Sequence, residues 1–380
     1  MRIVIYLGTF KKNHDGVARA TYQLVDSLLT KGHKVLVASP LITPQRRKNL
    51  ILFKFPAIPL FFYPEYKFGI PIMQYFNLIL RFKPDIIHIA TPDLIGMMTS
   101  LFGHIRKIPQ VFAHHSDIIA VFRYYGLGFL EKGILWMYRT FYNHACATFV
   151  PTRKIQANLR KHGIHRVFLW SRGIDRKQFH PNLRSESLRK SWGAENRPVI
   201  LYTGRLVWYK DLDVLAEVYL FFQDQKTNKP LFVLAGDGPI RKDIEKLMPK
   251  AVFLGYVEDL KLGKTFASSD LFLFPSTTET FGQVVQEALA SGIPAIVSNI
   301  GGCQEIIEKS QAGMIVAAKD SQAFLRACKK LLEDKEFYQR CQFNGLKFAK
   351  NRSWSHINEE LLKKYEKIID FWHNERKKKM

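Results

Sequence analysis

Short runs of β-branched and aliphatic residues alternate along the chain with longer stretches of helical spacing. Runs of strand length fall at 2–7, 34–38, 85–90, 109–114, 146–150 and 167–170. A second series follows at 198–203, 231–235, 251–254, 271–274, 294–297 and 314–316. Many are apolar throughout rather than alternating, as expected for parallel strands covered on both faces. Between them, the spacing predicts helices, for example over 16–31, 136–145, 152–162, 240–248, 282–291, 321–333 and 356–373. Strand–helix alternation that runs its course twice predicts two doubly wound α/β domains. It is interrupted near 170–182, by Ser171-Arg172-Gly173-Ile174-Asp175 and His180-Pro181-Asn182, and the join is placed there. Residues 53–76 do not fit the scheme. With Phe61-Phe62-Tyr63-Pro64 and further aromatics and prolines, they read as a long aromatic loop or as an amphipathic insertion on a sheet edge.

Composition adds limits. A chain of 380 residues, 47% hydrophobic and 24% charged, suits two folded cores rather than one. Its four cysteines, Cys146, Cys303, Cys328 and Cys341, are scattered without metal-like spacing and read as reduced, buried thiols. Residues 1–7 are strand-like and lack a cleavage site, and no stretch approaches the roughly 20 apolar residues of a membrane span. The expected place is the cytoplasm, with the inner face of the cytoplasmic membrane as a peripheral attachment. The net charge is +24, and residues 1–170 contribute +16 of it, from 23 basic and 7 acidic side chains. Such a field favours a polyanion, either nucleic acid or an anionic membrane surface.

Candidate chemistry concentrates after the strand at 271–274. Thr278-Glu279-Thr280-Phe281-Gly282-Gln283-Val284-Val285-Gln286-Glu287 opens a helix, which puts Glu279 in the loop above the strand end and Glu287 in the second helical turn. Free N–H groups at a helix start suit a diphosphate, and carboxylates on either side can accept hydrogen bonds from vicinal diols. Tyr202-Thr203-Gly204-Arg205 followed by Lys210 can place two cations over one pyrophosphate. The first strand ends at Gly8, and Asn13-His14-Asp15-Gly16-Val17 leads into a helix without the GxGxxG dinucleotide fingerprint. His114-His115-Ser116-Asp117 follows another strand; it could begin a metal site, although no third outer ligand is in view, and Asp117 could instead cap the next segment.

Two glutamates with seven residues between them, followed by Ala288-Leu289-Ala290-Ser291-Gly292, resemble the donor-site signature of glycosyltransferase family four. Other landmarks follow the family order over most of the chain: the Gly16 loop, His115, Arg172-Gly173-Ile174-Asp175, Gly204-Arg205, Lys210, Gly236 and Gly301-Gly302. The resemblance implies an α/β GT-B fold, with two facing Rossmann-like domains and a C-terminal helix crossing back to the first. By it, residues 1–170 hold the acceptor, 171–355 the nucleotide sugar, and 356–380 form the returning helix and a basic tail. It implies retention of anomeric configuration with no metal and no cofactor. Arg205, Lys210, His115 and Glu279 would be catalytic; Gly16, Arg172, Gly236, Tyr256, Val257, Thr280, Phe281, Gly282 and Glu287 would bind the donor. His115 would contact the transferred sugar with His114 beneath it, or the reverse.

The pattern most resembles GDP-mannose-dependent α-mannosyltransferases, and sulfoquinovosyl- and glucosyl-diacylglycerol synthases share much of it. The expected partners are a nucleotide sugar, a lipid-linked or glycan acceptor and an anionic membrane surface. Nucleic acid is not expected, because no recognition motif accompanies the charge. A sugar-nucleotide epimerase of the same two-domain shape and a lipid-bound scaffold with a relic site are the rival readings.

Overall fold

The computed structural model describes residues 1–12, 15–60, 63–115, 118–224 and 229–378. Asn13-His14, Phe61-Phe62 and Ser116-Asp117 lie outside them, and with them the cap suggested for Asp117. The chain divides into two units, one of Met1–Ser116, Phe129–Arg172 and Trp354–Met380, the other of Asp117–Gly128 and Gly173–Ser353.

The first unit carries a parallel seven-stranded sheet. Its spatial order is Val167–Leu169, Ala147–Val150, Gln110–Ala113, Ile86–Ile89, Arg2–Tyr6, Lys34–Ser39 and Leu50–Lys54. The chain moves outward from Arg2–Tyr6 to Leu50–Lys54, then restarts at Ile86–Ile89 and moves the other way. Ile3, Ile5, Val35, Val37 and Ile86 are fully buried, which is why these strands read as unbroken apolar runs. The helix Gly16–Thr30 starts where the Asp15 carboxylate accepts from the Ala18 N–H at 2.7 Å. Its Leu24 and Leu28 share one core with Leu361, Leu362 and Tyr365 of the long helix Trp354–Lys378. Asn358 fixes that contact, donating to the Gln23 carbonyl and to Ser27, each at 3.0 Å. Burial of Leu361, Leu362 and Tyr365 supplies about 1.5–3 kcal/mol per side chain, which outweighs the two Asn358 bonds at about 1 kcal/mol each.

Residues 53–76 are not a loop. They hold the end of the edge strand, an antiparallel ribbon of Ala57–Leu60 with Tyr63–Gly69, and the start of the helix Met73–Phe82. Prolines in this stretch read as breakers, yet proline is tolerated in a two-stranded ribbon that has edges on both sides. Several of the aromatics turn inward: Phe55 lies 6.0 Å from Tyr6 and 4.9 Å from Tyr75, ring to ring.

The second unit has a parallel six-stranded sheet in the order Val252–Gly255, Leu231–Ala235, Val199–Thr203, Leu271–Phe274, Ala295–Ser298 and Gly313–Val316. Here too the order reverses once, between Val199–Thr203 and Leu271–Phe274. Both units are therefore doubly wound, each with its own buried core. Among the described residues no helix is long and apolar enough to cross a membrane.

Candidate active site

In an open parallel sheet, the loops leaving the two strands at the reversal point diverge, and the crevice between them is where ligands enter. Lys210 and Glu279 stand on those two loops of the second unit. The short turn Trp208–Lys210 follows Val199–Thr203, and Glu279 follows Leu271–Phe274. The Lys210 ammonium pairs with Glu279 Oε1. Burial works against that cation, but the Glu279 carboxylate outweighs it and the net displacement of the Lys210 pKa is upward, so it stays charged at neutral pH.

The two loops are tied together behind the pair. Asp211 Oδ2 accepts from the Thr277 N–H and from its hydroxyl, both at 2.8 Å, and the Thr278 hydroxyl donates to the Tyr209 carbonyl at 3.1 Å. Burial raises the Asp211 pKa, and the two Thr277 bonds partly offset it. Nothing in the sequence singled out Asp211 or Thr277. The signal available was an Asp directly after Lys210, facing a Thr two residues before Glu279.

Glycines let the neighbouring loops approach. Gly236 has φ 151°, and a Cβ there would stand 1.9 Å from the Gly204 carbonyl oxygen. On the other side, a Cβ on Gly302 would stand 2.1 Å from the Thr280 carbonyl oxygen, and the Gly302 N–H donates to the Glu279 carbonyl at 2.6 Å. These are backbone-to-backbone contacts that no side chain could enter.

The helix Gln283–Ala290 begins at Gly282, which has φ 84° and gives no side-chain cap; of the first-turn N–H groups, that of Val285 donates to the Gly282 carbonyl at 3.0 Å. Gln283 and Gln286 anchor it, each donating to the Gly173 carbonyl at 3.0 Å. Glu287 is buried in its second turn. The Phe281 side chain belongs to the core, so the loop offers only its backbone there. Arg205 follows Gly204 at the strand end, while Tyr256 is exposed after Gly255 and Val257 packs against the core.

Gly16, His115 and Arg172 belong to the first unit. Gly16 opens its helix, and a Cβ there would meet nothing within 4 Å among the described residues, so their packing does not require glycine. His115 and Arg172 sit in a nest of rings. The Arg172 guanidinium donates to His115 Nδ1 and lies 5.1 Å over the Trp170 ring; Trp170 in turn meets His115 and His88 edge to face at 5.4 and 5.6 Å. His88 Nδ1 pairs with the Tyr365 hydroxyl. His114 turns away to the Tyr142 hydroxyl at 3.1 Å, so the two adjacent histidines have different partners.

Burial, reinforced by Arg172, pushes the His115 pKa well below its usual value and that of His88 down to about 3. Burial alone brings Arg172 down to about 9. A guanidinium can only donate, so His115 Nδ1 is the acceptor, and the neutral ring carries its proton on Nε2. His115 is thereby set up to give a hydrogen bond and not to shuttle a proton near neutrality. Among the described residues no three His, Cys, Asp or Glu side chains gather as a metal would need.

Residues 14–178 match the family profile described as Glycosyltransferase Family 4, and residues 184–348 match Glycosyl transferases group 1. The chain belongs to glycosyltransferase family four. This glycosyltransferase is 29% identical over 376 residues to a GDP-mannose-dependent alpha-mannosyltransferase of Corynebacterium glutamicum, covering 97% of this chain and 89% of that one. It is 30% identical over 314 residues to the sulfoquinovosyl transferase SQD2 of Arabidopsis thaliana, covering 80% and 60%. Among solved structures, Anabaena HepE in complex with UDP-glucose superposes with a TM-score of 0.78 at 17% identity, over 97% of this chain and all of that one. Sucrose-phosphate synthase from Thermosynechococcus elongatus gives 0.78 at 19%, over 97% and 99%. These likenesses establish the GT-B fold, and membership of the family overturns the epimerase reading.

Proposed function

We propose that this glycosyltransferase moves a mannosyl residue from GDP-mannose to a lipid-linked or glycan acceptor, with retention at the anomeric carbon and without a metal ion. The observation that carries this reading is the Lys210–Glu279 pair at the reversal point of the second sheet. A diphosphate held at the first turn of Gln283–Ala290 takes Lys210 and Arg205 as its counter-cations, with close backbone approach at Gly236, Thr280, Phe281 and Gly282. Glu279 then accepts from the hexose hydroxyls, Glu287 from the ribose, and the backbone of Tyr256 and Val257 meets the base. For the first unit, the family resemblance assigns the His115 Nε2–H to the transferred sugar, with Arg172 holding that ring, and the Gly16 backbone to the phosphate.

Transfer proceeds on one face of the sugar. The bond from the anomeric carbon to the diphosphate breaks, the bond to the acceptor oxygen forms on the same side, and the acceptor proton passes to the departing diphosphate. Lys210 and Arg205 stabilise the negative charge that grows on that leaving group. The choice of mannose rests on the full-length mannosyltransferase relatives. A UDP-sugar-dependent glycolipid synthase is the second reading, favoured by the SQD2 likeness. Thermal unfolding of the protein with GDP-mannose, UDP-glucose or UDP-sulfoquinovose separates the two, since a bound donor raises Tm. GDP-mannose is expected to give the largest rise; a rise with UDP-sugars alone selects the second reading, and no rise with any of them overturns both.

A further inference from the structure

The helix Leu94–Ile105 is turned inside out. Its face toward the sheet consists of Ile95, Gly96, Thr99, Ser100 and Gly103, all buried, whereas Leu94, Met98, Leu101 and Ile105 are 40, 37, 56 and 64% exposed. Spacings of four, three and four place these four side chains on one stripe, about 17 Å long at the helical rise. Small residues suffice on the inner face because the backbone itself comes close. A Cβ on Gly96 would stand 2.1 Å from the Thr91 carbonyl oxygen, and one on Gly103 3.1 Å from Ile87 Cδ1.

The neighbouring helices widen the stripe. Phe76 and Phe102, 5.1 Å apart, join it to Met73–Phe82, which exposes Met73 and Leu80. His104 and His144, 5.7 Å apart, join it to Glu131–His144, which exposes Trp136. Around this apolar layer stand exposed Arg81, Lys83, Arg106, Lys107, Lys132 and Arg139. The two carboxylates of residues 67–107 serve the interior. Asp85 accepts from the Arg2 N–H at 2.6 Å; Asp93 accepts from the Tyr6 hydroxyl at 2.7 Å and from the Gly96 N–H at 2.9 Å.

We propose that this helix layer docks on an anionic bilayer, its aliphatic stripe entering the headgroup–acyl boundary and its basic rim meeting lipid phosphates. Charge decides the occupant: a second copy of the chain would bring two basic rims together, while anionic lipid neutralises both the rim and the wider +16 of residues 1–170. The docking gives the lipid-linked acceptor reading a location and rests on that reading for its purpose alone.

Sedimentation of the full chain with vesicles of phosphatidylcholine, with and without phosphatidylglycerol, tests it. Expected are binding to the anionic vesicles, loss of binding at high salt, and a partition about tenfold weaker in Leu101→Glu/Ile105→Glu. Arg106→Glu/Lys107→Glu, which leaves the stripe intact, should weaken it as well, and both variants should keep the wild-type Tm and its rise with GDP-mannose. Unchanged partition of Leu101→Glu/Ile105→Glu overturns the proposal, as does equal binding to neutral vesicles. A wild-type dimer in sedimentation velocity that this double variant renders monomeric also overturns it. Vesicle binding without any donor-induced rise in Tm would support the docking while the GDP-mannose reading fell.

Discussion

At the carboxyl edge of the second sheet, glycines and a pair of opposite charges shape the loops; at that of the first, rings fill the space around one guanidinium. Lys210 and Glu279 hold each other while partly open to solvent, 15% and 26% exposed, as the proposed exchange of partners with a diphosphate would need. Arg172, His115 and His88 are enclosed, and their pKa values move toward the neutral forms. One edge thus keeps its charge available, and the other keeps its proton positions fixed. The pair suits changing electrostatics and the nest suits fixed orientation, on sheets wound by the same rule.

The largest effect expected from that contrast comes from the charged pair. Lys210→Ala and Glu279→Gln should each lower kcat by about a hundredfold to a thousandfold without changing the fold, as steady-state kinetics and circular dichroism would show. Near-wild-type turnover in both would remove the pair from the chemistry. Next come the glycines. Gly236→Ala should destabilise by about 3 kcal/mol, through backbone strain and overlap with Gly204. Gly16→Ala should leave stability unchanged or raise it by up to about 1 kcal/mol while weakening donor binding. Denaturant melts of both, with donor titrations of the second, check this; equal losses of stability would erase the distinction between a glycine the fold needs and one left for a ligand.

The ring nest should show itself in acid. A histidine held at about 3 in the folded state and near 6.5 when unfolded binds its proton preferentially in the unfolded chain between those values. Its contribution is present above pH 6.5 and is lost as pH falls, by about 2 kcal/mol at pH 5. Denaturant melts at pH 7 and pH 5 should therefore differ less in His88→Phe than in the wild type, and an equal difference would place His88 outside this account. The smallest expected effect is an absence. Because His115 stays neutral, kcat/KM should show no inflection assignable to it between about pH 6 and 8, and one that vanishes in His115→Asn would make it a proton carrier instead.

The twelve strands of the two series were legible because strands covered on both faces are mostly apolar, and single polar residues such as His88 or Thr148 do not break the runs. The edge strand Leu50–Lys54 was not, since its residues are only partly covered, and the ribbon after it was hidden by Pro59 and Pro64. In the second unit, Glu279, Lys210 and the glycines stood out one by one, but their pairing across 69 residues depends on which strands are adjacent. The ring nest was harder still. His88 and Tyr365 are 277 residues apart, and neither differs locally from an ordinary core residue.

The long helix Trp354–Lys378 also has a consequence for synthesis. It covers Leu24 and Leu28, yet roughly 180 residues of the other unit are made between Arg172 and Trp354. At about 5–20 residues per second the nascent first sheet waits roughly ten to forty seconds for its missing cover. During that interval the Gly16–Thr30 helix presents its apolar side to the ribosome exit and to chaperones, while the second unit can complete itself uninterrupted. Of the two units, the one whose strands are made first is the one completed last.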